Sequence, residues 1–394
     1  LETEDYVIQT CYDVSPIKWH LAHTSWFFEE FILKRFVKNY SLFHELYSYL
    51  FNSYYNSIGD RVMKDLRGLL SRPTVNDIIV YRNHINEQID NLFSGNSISE
   101  QNELNALLEI GINHEQQHQE LMFYDIKHIF YINPTKPIYL EKQSVYWPDL
   151  QNKMIEFDGG LLEFGHAGSS FAFDNEYPRH RAYLNPFAIQ NRLVTNGDFL
   201  QFIDAKGYNS HEFWLADGWE HKNQNNWQSP MYWENRDNEW FEWQLNGYEK
   251  LNLNRPVSHL SFYEAYAYAK WSGKRLPTEY EFEHVAKSNR VELSGYFCER
   301  LIKSDSVEID TSAEINQLNG YNWQWTRSSY SPYPGYKQSS GAIGEYNGKF
   351  MSGQMVLRGG SSATAKSHYR PGYRNFFQPE KRWLINGIRL AEDL

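Results

Sequence analysis

The sequence predicts an α+β protein of two domains, an antiparallel bundle of four helices followed by an irregular, loop-rich α+β half. Three observations carry this. Apolar residues recur at helical spacing through residues 1–133. After the stretch Pro134–Pro148, glycines, asparagines and tryptophans punctuate short apolar runs instead. The length of 394 residues also exceeds what a single core usually organises. We therefore expect a helical domain at 1–133, a linker at 134–152 and a second domain at 153–394.

In the first half, Ser15-Pro16 reads as a helix start, a capping oxygen followed by a proline whose missing N–H costs nothing at the first helical position. Trp19, Leu21, Ala22, Trp26, Phe27, Ile32 and Leu33 then continue the pattern to Phe36. A second helix is expected over Leu42–Tyr55. Thr74 caps a third that runs through Ile78, Tyr81, Ile85 and Ile89 to Phe93, and Ser99 caps a fourth that Pro134 stops after Ile132. Bundle interiors are where metals bind. In the second half, helices are expected at Thr195–Ala205, at Ser261–Trp271 and from Thr278-Glu279 onward, with Asn223–Asn246 as a polar, Trp-rich surface insertion.

Composition narrows the function. A net charge of −11 argues against a nucleic-acid binder, which must neutralise rows of phosphates. No apolar run is long enough for a membrane helix, and the polar, acidic first residues do not read as a secretory signal. Cys11 and Cys298 alone exclude a disulfide framework or thiolate metal site, so a reducing cytoplasm is the expected compartment. Aromatic residues make up 17% of the chain, enough to look for an aromatic-lined pocket.

The most informative stretch is His114-Glu115-Gln116-Gln117-His118-Gln119-Glu120. Four residues advance a helix by roughly 400°, so His114 and His118 share a face, roughly 6 Å apart along the axis. Two such imidazoles suit one transition metal. The same letters satisfy H-E-x-x-H, in which Glu115 would be the base of a zinc hydrolase, but no supporting downstream histidine follows. Glu120 lies about 200° around the helix from His118 and fits an orienting role better than a ligand's. A third ligand must come from another helix, and Trp19-His20-Leu21-Ala22-His23 offers His20 or His23. Three histidines suit zinc, iron or copper alike. Gln117 faces the same side, where an amide could hold a polar substrate.

His114-x-x-x-His118-x-Glu120, with Leu21-Ala22-His23 upstream, resembles the DinB-type bundle of the ergothioneine-pathway sulfoxide synthases, the hercynine oxygenases. The second half is similar to the formylglycine-generating-enzyme-like, C-type-lectin-related domain that those synthases carry. Its marks are Pro256-Val257-Ser258-His259-Leu260-Ser261, Gly273-Lys274-Arg275-Leu276-Pro277-Thr278-Glu279, Trp323-Gln324-Trp325-Thr326, Leu357-Arg358-Gly359-Gly360 and Gly387-Ile388-Arg389-Leu390.

The resemblance implies a non-haem iron(II) enzyme with dioxygen as co-substrate. It would join a thiol sulfur to the imidazole of trimethylhistidine (hercynine) and oxidise that sulfur to the sulfoxide. It assigns the metal to His23, His114 and His118 and places Gln117 on the substrate imidazole. Asn52-Ser53-Tyr54-Tyr55-Asn56 resembles the branch that uses free cysteine, with Tyr54 or Tyr55 supplying a proton or electron. Arg374-Asn375-Phe376-Phe377 points the same way, because Phe377-Gln378-Pro379 lacks the charged pair that γ-glutamylcysteine users place there. A trimethylammonium group donates no hydrogen bond and needs aromatic faces, for which Phe376, Phe377 and Trp383, beside Asn375, are candidates. Arg67, Arg72, Arg370 and Arg374 are candidate partners for substrate carboxylates. Related enzymes that take histidine or a selenium donor, a zinc hydrolase using His114, Glu115 and His118, and a non-catalytic binding protein remain alternatives.

Overall fold

The computed structural model describes residues 1–94, 100–141, 145–291, 295–303, 309–310, 312–338 and 342–394. The chain divides into two compact units. The first comprises Leu1–Tyr139 with Ser339–Tyr346, the second Leu140–Gln338 with Asn347–Leu394. A short segment from the carboxy-terminal half thus belongs with the helices.

The first unit is built on α1 (Ile17–Phe28), which passes through a π-helical turn at Glu29–Leu33 into a last turn, α2 (Lys34–Phe36). Helix α3 (Tyr47–Phe51) is one turn long, whereas α4 (Val75–Ser94) and α5 (Gln101–Ile132) are long. Ten of the twelve residues of α1 are buried, so this helix is the centre of the unit and not an amphipathic face on it. Ile32, Leu104 and Leu107 form a core cluster with Phe28, Phe36, Ile89, Leu92 and Leu108 packed against it. The capping reading at Thr74 agrees with the structure. Its hydroxyl accepts the Asp77 N–H at 3.2 Å while the Asp77 carboxylate accepts the Thr74 N–H.

Two expectations here need correction. The helix predicted over Leu42–Tyr55 shrinks to α3, for identifiable reasons. Buried Glu29 accepts the Phe43 N–H at 2.9 Å and the Tyr40 hydroxyl at 2.8 Å, which holds the approach in a loop. The Asn52 side chain accepts the Tyr55 N–H and donates to the Tyr55 carbonyl, an alternative to further helical bonds. Ser15 is also not the cap of α1, since Pro16 takes that position and the Ser15 hydroxyl accepts from Arg67. The predicted cap at Ser99 lies outside the described residues.

Among its described residues the second unit contains four small sheets. The first has order β1-β4-β12, from β1 (Met154–Phe157), β4 (Phe187–Gln190) and β12 (Ala391–Asp393), all antiparallel. A hairpin pairs β2 (Gly160–Phe164) with β3 (His180–Leu184). A meander joins β5 (Trp233–Arg236), β6 (Glu239–Gln244) and β7 (Gly247–Lys250). The last sheet has order β10-β9-β8-β11, from β8 (Trp323–Ser329), β9 (Met355–Arg358), β10 (Asn375–Phe377) and β11 (Asn386–Gly387), with only β11 and β8 parallel. Helices α6 (Asn196–Asp204), α8 (Phe262–Trp271) and α9 (Glu279–Ala286) open on capping boxes at Thr195, Ser261 and Thr278, close to the expected starts. Sequence periodicity missed α7 (Ala216–Gln224) and α10 (Cys298–Lys303).

The stretch Asn223–Asn246, expected as a surface insertion, is in part interior. It supplies β5 and β6, and Trp233 and Trp243 are buried on that meander. Two motif arginines of this unit, Arg358 and Arg389, are interior cross-links. Fully buried Arg358 pairs with fully buried Glu283, and Arg389 donates to Gln324 and to the carbonyls of Gln190 and Asn316. Unpaired, such charges would not be tolerated inside. No helix among the described residues is long and apolar enough to cross a membrane.

Candidate metal centre

His23 projects from α1, and His114 and His118 project from successive turns of α5. Each of the three offers a ligand atom, and these atoms lie within 4.8 Å of one another. The Nε2 atoms of His23 and His114 are 3.1 Å apart. His23 Nδ1 donates to the Phe51 carbonyl at 2.6 Å, which leaves its Nε2 as the metal-facing atom. His118 Nδ1 meets His20 Nδ1 at 2.8 Å, which likewise leaves Nε2. The rings are clamped. Trp19 stacks on His23 with centroids 4.6 Å apart, Trp26 stacks at 5.5 Å, and Phe27 lies 4.7 Å from His114.

The electrostatics suit a cation. Burial and the neighbouring imidazoles hold His23 and His118 well below the ordinary histidine range, and burial pushes His114 down to about 3. All three are therefore neutral at pH 7 with lone pairs available. A cluster of three converging neutral imidazoles, with no thiolate or carboxylate in the set among the described residues, fits zinc, iron or copper.

His20, the other candidate from α1, faces His118 on one edge and Asp125 on the other, 2.9 Å away. It is a neighbour of the triad. Glu115 is held by Arg82 of α4 at 2.6 Å, and Arg82 also donates to Thr24. A carboxylate fixed on a guanidinium is a poor general base, so the H-E-x-x-H reading loses its central residue. Glu120, expected to orient a neighbour, accepts from the Tyr124 hydroxyl one turn on.

The Gln117 carbonyl oxygen accepts a hydrogen bond from the hydroxyl of Tyr346. Tyr346 was not foreseen. Its ring lies 5.7 Å from His114 and 6.3 Å from Tyr54. It reaches the site because its segment is fastened there, with the Glu345 carboxylate accepting the N–H groups of Asn56 and Ser57 at 2.9 Å each. Nothing in linear spacing links residue 346 to residue 114; the one signal was a tyrosine set in Gly344-Glu345-Tyr346-Asn347-Gly348, a glycine-flanked turn. Tyr54 stacks on fully buried Tyr55 at 4.7 Å, and Tyr55 lies 5.7 Å from Trp26. Burial raises the Tyr55 hydroxyl well above the usual phenol range.

Of the candidate arginines, Arg67 is buried beside this cluster. Its guanidinium lies 3.4 Å over the Trp19 ring and donates to Ser15. Burial pushes it down to about 9, so it stays charged at neutral pH. Arg72 sits on the surface and donates to the Ser71 carbonyl. Arg370 and Arg374, in the second unit, are paired with Glu176 and Glu279. Asn375, Phe376 and Phe377 form β10, the edge of its sheet. Phe376 stacks on Tyr330 at 4.0 Å, and Phe377 meets Trp383 edge-on at 5.3 Å.

Residues 148–307 and 310–394 match the Sulfatase-modifying factor enzyme 1-like domain family. Hercynine oxygenase of Mycobacterium tuberculosis is 31% identical over 257 residues, 59% of this chain and 59% of that protein. The Mycolicibacterium smegmatis hercynine oxygenase is 32% identical over 57% of this chain and 56% of its own length. A formylglycine-generating enzyme from Streptomyces coelicolor is 27% identical over 61% of this chain and 88% of that enzyme. The chain thus spans a little over half the length of the hercynine oxygenases it matches.

Proposed function

We propose, from the premise that this chain belongs to the Sulfatase-modifying factor enzyme 1-like domain family, that it is an iron(II)-dependent hercynine oxygenase joining trimethylhistidine to cysteine. The observation that carries the reading is the convergence of His23, His114 and His118 in a protein similar to hercynine oxygenases. The helical unit is then a DinB-like bundle shortened at its second helix. His23, His114 and His118 would hold the iron, which when bound supplies dioxygen activation and one-electron chemistry.

The rest of the mechanism belongs to side chains. Forming a C–S bond from C–H and S–H removes two electrons, and placing one oxygen on sulfur removes two more. One dioxygen accepts all four, and its second oxygen leaves as water. The two protons released need carriers. The phenol of Tyr346, on Gln117, and that of Tyr54, stacked on Tyr55, are weak acids suited to holding or passing one. Gln117 orients the substrate imidazole through its amide, Arg67 is the carboxylate partner, and Trp19 and Trp26 exclude water around His23. Cys298 is the sole cysteine of the second unit, so formylglycine generation through paired thiols is not part of this reading.

Anaerobic loading with iron(II), trimethylhistidine and cysteine, followed by air, tests it. The expected product has the summed mass of both substrates plus one oxygen minus two hydrogens. Recovery of unchanged trimethylhistidine beside cystine would contradict it.

A further inference from the structure

His20 is buried between His118 and Asp125, and its two ring nitrogens contact both. Asp125, also buried on α5, receives the Ser15 backbone N–H on the oxygen that faces His20, at 2.9 Å. With Asp125 as a carboxylate and His20 as a neutral ring, the hydrogen-bond polarity of this row follows from the contacts. A carboxylate only accepts, so the His20 Nε2 carries hydrogen and donates. In neutral His20 the Nδ1 is then a bare lone pair. Two Nδ1 atoms 2.8 Å apart share one hydrogen, so His118 must supply it. His118 is left with a bare Nε2, the atom a metal requires. The opposite tautomer of His118 would present N–H to the triad and block coordination.

We propose that Asp125 and His20 are positioning residues that select the tautomer and ring angle of His118 across two imidazoles. This rests on the reading of the triad as a metal centre. Outer partners of metal-bound histidines commonly act through one hydrogen bond; here the carboxylate acts through an intervening ring.

The test uses the full chain, with Co(II) as probe in competition against a chromophoric chelator. Asp125→Leu, which removes the acceptor at similar volume, is expected to weaken Co(II) binding about 10–100-fold. Asp125→Asn, which keeps a carbonyl oxygen, is expected to recover most of that loss. A readout that mere packing would not move is the tautomer itself, taken from ¹⁵N-histidine spectra of the metal-free chain. Wild-type His118, assigned by its loss in His118→Gln, should carry its hydrogen on Nδ1 and shift toward Nε2 in Asp125→Leu. Hydrogen on Nε2 in the wild type, or full affinity in Asp125→Leu, would overturn the proposal. Should Asp125→Leu fail to fold, the wild-type tautomer decides alone. If the wild type binds Co(II) no better than His114→Ala, the metal-centre reading fails and this proposal falls with it. Tight wild-type binding with undiminished Asp125→Leu defeats only the positioning role.

Discussion

His114 and His118 share a face of α5 because a helix turns once in 3.6 residues, and that was legible from the letters alone. Choosing between His20 and His23 was not. Both stand on the buried side of α1, and only the Phe51 carbonyl on His23 and Asp125 behind His20 separate their roles. Tyr346 lay beyond any spacing argument, since a fold contact and not a period brings it to Gln117. Tyr346→Phe and Tyr54→Phe should shift product from sulfoxide toward simple thiol oxidation, read as the ratio of the two masses. Wild-type ratios in both would remove the phenols from the mechanism. Elsewhere, buried His368 donates or accepts at the Tyr373 hydroxyl, 3.0 Å away, and burial with nearby Arg370 pushes it down to about 3. Its folded value is depressed, so its contribution to stability is full above about pH 6.5 and is lost as pH falls toward 3, by up to about 1.4 kcal/mol per pH unit. Urea denaturation at pH 7 and pH 5 should show a shallower acid loss in His368→Gln than in the wild type.

Helix starts with a capping box were readable as short motifs, and Thr195, Ser261 and Thr278 all open helices. Ser261→Ala should cost about 1–2 kcal/mol in urea denaturation, because its hydroxyl accepts the Glu264 N–H at 3.1 Å inside the fold. The second predicted helix failed for a tertiary reason, the capture of Tyr40 and Phe43 by Glu29, which no local propensity reports. The strands of the second unit were harder. They are two to seven residues long and often buried on both faces, so alternation is weak. The Leu357-Arg358-Gly359-Gly360 motif gains its meaning only in the fold. Gly359 has φ +104°, and a Cβ there would lie 2.7 Å from the Leu318 carbonyl oxygen. Gly359→Ala should therefore destabilise by about 2 kcal/mol or more, seen as a lower urea midpoint.

Across the molecule, the α+β division into a helical part and a sheet-containing part was legible from the change of texture after Pro134. The return of the segment ending at Tyr346 to the helical unit was not, because a glycine-flanked tyrosine does not say which unit it packs in. The net charge of −11 and the small polar substrates proposed are compatible, since recognition would rest on one buried arginine and not on a field of positive charge. The central claim is that α1 and α5 together hold one redox metal. Anaerobic iron(II) titration of the metal-free chain, with bound iron counted after gel filtration, tests it most directly. One equivalent in the wild type and almost none in folded His23→Ala or His118→Ala is the predicted result. Equal iron in all three chains, or none in the wild type, would contradict it.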